Sequence, residues 1–208
     1  MMQPRAYFEM RVVPSFKSER PDGMAHDLMA LLVKFTHAIA ARQGVKHAIA
    51  LPHARAIPGR ATTGNLLRVF ALERLELDSI ADELEKQVFA RDYVSIGRTK
   101  VLADDYMAPG YVEYLRYRVP NRNTGLKESR LKRMKEADGL PYFRLNSSAG
   151  HALSLFVKPV YHETANCSDA YSKDLAITFE PDVYGLSVSQ RRFALPVTPD
   201  DQWPHGQA

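Results

Sequence analysis

Cysteine occurs once in this sequence, as Cys167. A lone thiol excludes an intrachain disulfide and any zinc site built on cysteine pairs, and it suits a reducing cytoplasm. Long apolar runs are missing too: nothing approaches the roughly 20 residues of a membrane-spanning helix. The first thirty residues are broken by Arg5, Glu9, Arg11, Lys17, Glu19 and Arg20, so neither a targeting segment nor a membrane partner is expected. There is no HExxH pair and no glycine loop able to cradle a phosphate. His47 and His53, the nearest approach to paired metal ligands, are separated by strand-end residues and Pro52. The sequence therefore calls for no metal and no cofactor.

What is present is an uneven charge. The chain is 45% hydrophobic and 25% charged, which is ordinary for a globular protein able to bury one good core or two small ones, and its formal net charge is +4. Between Tyr111 and Lys135, however, Arg116, Arg118, Arg122, Lys127, Arg130, Lys132, Arg133 and Lys135 face only Glu113 and Glu128, a local balance of +6 that leaves the rest of the chain at −2. Charge gathered in one short stretch points to a polyanion partner, RNA or DNA first. Tyr111, Tyr114 and Tyr117 lie among the arginines and offer flat faces for unpaired bases. The plainer reading is a solvated basic helix with no ligand.

Taken in order, the first half alternates strand and helix patterns. Arg5 to Val13 alternates as a strand and stops at Pro14. From Met24 to Gln43, Leu28, Leu31, Leu32, Phe35 and Ile39 fall on one helical face, and Gly44 is a natural stop. His47 to Leu51 and Asn65 to Leu72 read as strands, Leu77 to Phe89 as a second helix, and Tyr93 to Leu102 as a fourth strand. That βαββαβ order predicts a ferredoxin-like, RRM-type domain over residues 1–103, whose sheet face or helix edges could meet RNA, although the aromatic RNP motifs of an RRM are missing. The overall class is α+β.

A second unit, residues 104–208, opens at Asp104, Asp105, Pro109 and Gly110. Thr124 can cap a basic helix from Gly125 to about Asp138 on which Leu131 and Met134 form a narrow apolar seam flanked by cations. A small antiparallel sheet is expected from Tyr142 to Leu145, Leu153 to Val157, Leu175 to Phe179, Val183 to Val188 and Arg192 to Leu195, followed by a loose tail with Pro196, Pro199 and Pro204.

Of seven histidines, His37 is the most informative. It lies nine residues beyond Leu28, half a turn away from the apolar stripe of its helix, so it is not a core residue of that face. Its neighbours on the wheel, Ala30, Val33, Lys34 and Ala41, are mostly small and would let another domain or an RNA strand come close. A solitary surface histidine is the commoner case. Ser147 and Ser148 stand in a polar turn, where serine is common for local hydrogen bonding alone. If the chain acts on RNA, the economical chemistry is metal-free: a histidine removes the proton of a ribose 2′-hydroxyl, which attacks its own phosphate to give a cyclic phosphate.

The segments MALLVKFTHAIAARQG around His37, LRYRVPNR followed by LKESRLKRMK, LPYFRLNSSAG and DVYGLS resemble, in that order, the type I-F CRISPR-associated repeat endoribonuclease. The resemblance runs from about Tyr7 to Val197. It implies an enzyme that cuts precursor CRISPR RNA at the base of each repeat hairpin, stays on the product, and works beside other subunits of an RNA-guided surveillance complex. It also implies roles. His37 falls on the catalytic histidine, Tyr184 on the tyrosine that positions it, and Ser147 on the serine that orients the 2′-hydroxyl. The turn is one residue shorter here, so Ser148 is the alternative. Arg116 falls on the linker arginine that reads a guanine, a bidentate contact suited to Arg. Arg118, Arg122, Lys127, Arg130 and Arg133 would hold the hairpin, with the basic helix in its major groove. Three departures stand out: Arg118 replaces a glutamine suited to adenine, Leu153 replaces a stacking aromatic with His151 nearby as the candidate stand-in, and the link from the basic helix to the LPYF strand is short.

Overall fold

The computed structural model describes residues 3–13, 21–120, 127–146, 152–163 and 179–201, with the backbone alone at 21 and 22. They form an α+β structure with two antiparallel sheets. The first takes β1 (Ala6–Val12), β2 (His47–Ala50), β3 (Leu66–Ala71), β4 (Val94–Ile96) and β5 (Lys100–Val101), in the order β2-β3-β1-β4 with β5 also on β1. This is the interleaved order that two split βαβ units produce. Helices α1 (Pro21–Gln43), α2 (Arg74–Glu85) and α3 (Val88–Tyr93) complete it.

Two expected elements are divided. The strand expected over 93–102 is two pieces, because its register on β1 slips by one residue: Gly97 still donates its N–H to the Glu9 carbonyl at 2.8 Å in step with β4, whereas Lys100 and Val101 pair one residue out of step. β4 then pairs with the Val12 end of β1 and β5 with its Ala6 end. The helix expected over 77–89 breaks after Glu85, and Phe89 of the separate α3 stacks on Phe35 of α1 with ring centroids 5.0 Å apart.

Alternation decides the two faces of the first sheet. Phe8 and Met10 on β1 and Leu67 and Val69 on β3 are fully buried on one face. The opposite face carries Tyr7, Arg68 and Phe70, and these are buried as well. Its cover is the chain's own end. Arg68 donates to both oxygens of Asp201 at 2.6 and 2.9 Å, Lys100 to Asp200 at 2.7 Å, and Tyr106 to the Val197 carbonyl at 2.8 Å. The sheet face that an RRM offers to RNA is thus occupied, and the expected loose tail is a packed segment as far as Asp201.

The second sheet, in the order β7-β8-β6-β9, comprises β6 (Gly110–Tyr117), β7 (Tyr142–Asn146), β8 (Ala152–Glu163) and β9 (Leu195–Pro196). The first third of the basic stretch is therefore a strand inside this sheet. Tyr114 is a core residue there, unavailable for stacking on a base. Helix α4 (Lys127–Ala137) lies on the outer face, where the Tyr117 hydroxyl donates to Glu136. Thr124 and the start of the expected helix fall outside the described residues, as does most of the strand expected at 175–179.

Helix α1 packs on both sheets, which explains its composition. Leu28, Leu32 and Ile39 are buried on the expected stripe, but Met29, Val33, Thr36 and Ala40 are buried on the other side. His26 on α1 meets Tyr142 of β7 edge-on at 5.1 Å. A single apolar cluster accordingly runs from Phe8 and Phe70 through α1 to Phe143, Leu155 and Val157. Among the described residues, no helix is long and apolar enough to cross a membrane.

Candidate active site

Val183–Val188 alternates like a strand but begins with a tight turn, and the turn builds the site. Asp182 is its organiser: Oδ1 accepts the backbone N–H of Tyr184 at 2.9 Å and of Leu186 at 3.0 Å. Gly185 follows with φ +80, a left-handed conformation that side chains disfavour. A Cβ added there would lie 3.0 Å from the Ile49 nitrogen and 3.1 Å from the Ala48 Cα, so β2 would have to give way to it. The Ile49 N–H in turn donates to the Gly185 carbonyl at 2.9 Å.

Past the turn, Ser187 runs beside β6, donating its N–H to the Tyr114 carbonyl and accepting that of Arg116, at 2.9 and 2.8 Å. Its hydroxyl donates at 2.6 Å to Glu113, a fully buried carboxylate that Arg192 neutralises through two bonds of 3.1 and 2.6 Å. A buried charge needs such partners. The turn is consequently held on β2 and β6 at once.

Arg116 donates to Asp182 Oδ2 at 2.8 Å and its guanidinium carbon stands 5.3 Å from the centre of the Tyr184 ring. Beyond it, Tyr184 meets the imidazole of His37 with ring centroids 4.9 Å apart at 49°. The order in space is Asp182, Arg116, Tyr184, His37, drawn from three distant stretches of chain. His37 is half-buried. His47 lies close by at the start of β2, where burial first, and then the positive charge of His37, lower its pKa to about 4 against the opposing pull of Asp182. Its Nε2 is buried with no hydrogen-bond partner among the described residues. A neutral imidazole beside His37 adds no charge to the site at neutral pH.

The other candidate residues divide. Arg118 is exposed just past β6, and Lys127 is exposed at the start of α4. Arg133 reaches back to donate to the Arg118 carbonyl at 3.0 Å, with its guanidinium carbon 5.8 Å from the Tyr117 ring centre. Burial first, and then the bond to Glu136, push the Tyr117 phenol up to about 12, so it remains a donor. Arg130 is half-buried over the outer face of the second sheet. Arg122, Ser147, Ser148 and His151 lie outside the described residues.

Asp182 and His47 did not stand out as site residues in the sequence. The Asp182-x-x-Gly185 spacing is a turn signal that could have exposed the first. His47 carries no such mark, because only packing brings it to His37. No protein family matches the chain, and neither does any curated protein. Among solved structures, CRISPR endoribonuclease Cse3 bound to a 19-nucleotide RNA is 13% identical, with a TM-score of 0.34, covering 92% of this chain and 100% of that one. A chlorite dismutase mutant from Candidatus Nitrospira defluvii is 12% identical, with a TM-score of 0.28, covering 81% of this chain and 80% of that one. Likenesses at these scores carry no argument about fold or function.

Proposed function

We propose that this chain is a metal-independent endoribonuclease of the type I-F CRISPR kind, which binds a repeat RNA hairpin, cuts at its base and retains the product. In this reading residues 1–103 form a ferredoxin-like domain that supplies the base, and residues 104–208 form the hairpin-binding domain. The observation that carries it is the contact of His37 with Tyr184 beside Arg116. The resemblance to the type I-F family implies proton transfer, positioning and base reading for these residues, and His37 and Tyr184, and Tyr184 and Arg116, are neighbours in space.

His37 takes the proton of the ribose 2′-hydroxyl; that oxygen attacks the adjacent phosphorus, and the 5′-oxygen leaves with a proton. The products are a cyclic phosphate and a 5′-hydroxyl. Tyr184 limits how the imidazole can turn, and Ser147 or Ser148 orients the hydroxyl. Arg116 reads a guanine at the foot of the stem, and Arg118, being arginine, suits a guanine better than an adenine as the second base read. Arg122, Lys127, Arg130 and Arg133 contact phosphates, giving binding that weakens steeply with salt. The product complex would join the other subunits of a guide complex.

The test is incubation of the protein with its repeat hairpin in EDTA. Cleavage is expected to persist, and His37→Ala to slow it by roughly 100- to 10,000-fold, the usual worth of a general base, while binding is kept. Loss of cleavage under chelation, or full activity of the variant, would refute the reading. Tight hairpin binding by the unaltered protein with no cyclic-phosphate product would instead make it a non-cleaving, hairpin-holding subunit.

A further inference from the structure

Helix α4 does not close completely on the outer face of the second sheet. Between them lies an open cavity of about 590 Å³, within the size range of small-ligand sites. Its floor is aromatic: Tyr142 on β7 and Phe156 on β8 are directly paired across the strands, with ring centroids 5.4 Å apart and planes tilted by 41°, so a flat ligand would lie on one ring with the other against its edge. Arg144 and Ser154, the next pair on the same face, continue the floor, and Arg130 and Asp138 come from α4 and its end. Arg130 carries a buried Nε with no acceptor among the described residues. Two adjacent rings bordered by two guanidinium groups are the chemistry of a base stacked on one ring with its phosphate held at the edge. Ser154 and Asp138 add a hydroxyl and a carboxylate able to meet a base edge.

We infer that this cavity holds one unpaired nucleotide of the RNA, from the single strand that flanks the hairpin. An apolar small molecule is disfavoured because Arg130, from the basic stretch, and Arg144 both border the cavity and would lose water without a gain of an anion. The inference rests on the proposed hairpin binding for the source of the strand, but the cavity is separate from the His37 site and uses different residues. Each flank supplies nucleotides, and only one of them needs to reach it.

Three RNAs decide the matter: the bare repeat hairpin, the hairpin with unpaired extensions at either end, and the extension alone as an oligonucleotide. Binding is compared in the unaltered protein and in Ser154→Trp, an exposed outward position whose indole would fill the floor. One extension is expected to tighten hairpin binding by roughly 10-fold or more, the worth of a base stacked on an aromatic side chain. Ser154→Trp should cancel that gain and leave the bare hairpin unaffected, and 4-thiouridine in the extension should cross-link to the Tyr142 or Phe156 peptide. An extension that adds nothing, or a gain that survives Ser154→Trp, would overturn the inference. If the unaltered protein ignores the bare hairpin, hairpin recognition itself fails. The oligonucleotide still decides the cavity, since equal binding to both proteins would refute it and weaker binding to Ser154→Trp would support it.

Discussion

Asp182 divides its carboxylate between two tasks: one oxygen holds the backbone of the Tyr184 turn and the other holds Arg116. Asp182→Asn separates them. The amide oxygen can still accept the Tyr184 and Leu186 N–H groups, but its NH2 then faces a guanidinium, donor against donor. We expect hairpin affinity to fall by roughly 10-fold, since a bidentate arginine contact to guanine is worth about 1–3 kcal/mol, with a smaller change in the rate of cutting at saturating RNA. In a double-mutant cycle Asp182→Asn and Arg116→Ala should be strongly non-additive. Additive losses would mean that the pair only supports the fold. His47 gives a second residue-scale expectation. In the folded chain it titrates near 4, whereas in the unfolded chain it takes up a proton near its ordinary 6.5. Stability from this group is therefore complete above pH 6.5 and declines as the pH falls toward 4, by about 3 kcal/mol at most. Urea unfolding of His47→Gln at pH 7 and pH 4.5 should show a flatter dependence than the unaltered protein.

At the scale of elements, the turn at Gly185 joins the two halves of the site, where a Cβ would be strained by the left-handed backbone and crowded against β2. Gly185→Ala forces either a strained left-handed alanine or a retreat from β2, and Tyr184 moves with it. Cutting is expected to drop at least 10-fold, since small misplacements of a positioned group are costly. Binding to the basic helix should hardly change, and a gel shift beside a single-turnover assay separates the two. The same turn shows where the sequence was legible. Strands β1, β2 and β3, helix α1, and their interleaved order were readable because hydrophobic period and Pro or Gly stops agree there. Val183 to Val188 misled because its apolar residues alternate like a strand, while the chain direction is set by the Asp182 carboxylate and Gly185. The basic stretch misled in a related way: charge counting treats Tyr111 to Lys135 as one object. The β6 part obeys sheet packing, burying Tyr114 and Glu113, so the stretch divides into strand residues of the core and the cations that stay accessible beside it. His37 was legible as a residue off the expected stripe, but the second buried face of α1 was not, because its partner is a sheet much later in the chain.

For the whole molecule, the decisive contact joins the two ends of the described chain. Arg68 is 2% exposed in the middle of the first sheet, and its charge is balanced by Glu9 at 2.5 Å and by Asp201 at 2.6 Å. A proline-bearing tail gives no hint of this in sequence, since an ion pair has no period to read. Burial alone would raise the pKa of Asp201, but the bonds and charge of Arg68 hold it below the ordinary carboxylate range. A depressed carboxylate stabilises the fold above its unfolded value near 4, and that contribution is lost as the pH falls further. Acid should therefore release residues 197–201 from the sheet and expose Tyr7 and Phe70. Asp201→Ala is expected to do the same at neutral pH. It leaves Arg68 with Glu9 alone and should cost about 2–4 kcal/mol, below the full loss of a buried pair because one partner remains. Hydrogen exchange is the appropriate measurement: protection should fall in β1 and β3 of Asp201→Ala and stay unchanged in β7 and β8. Equal loss in both sheets would mean that the segment stabilises the shared core as a whole rather than covering one face. Because Asp201 lies on the face away from α1, cutting by the folded fraction should be preserved, which distinguishes this change from every substitution at the His37 site.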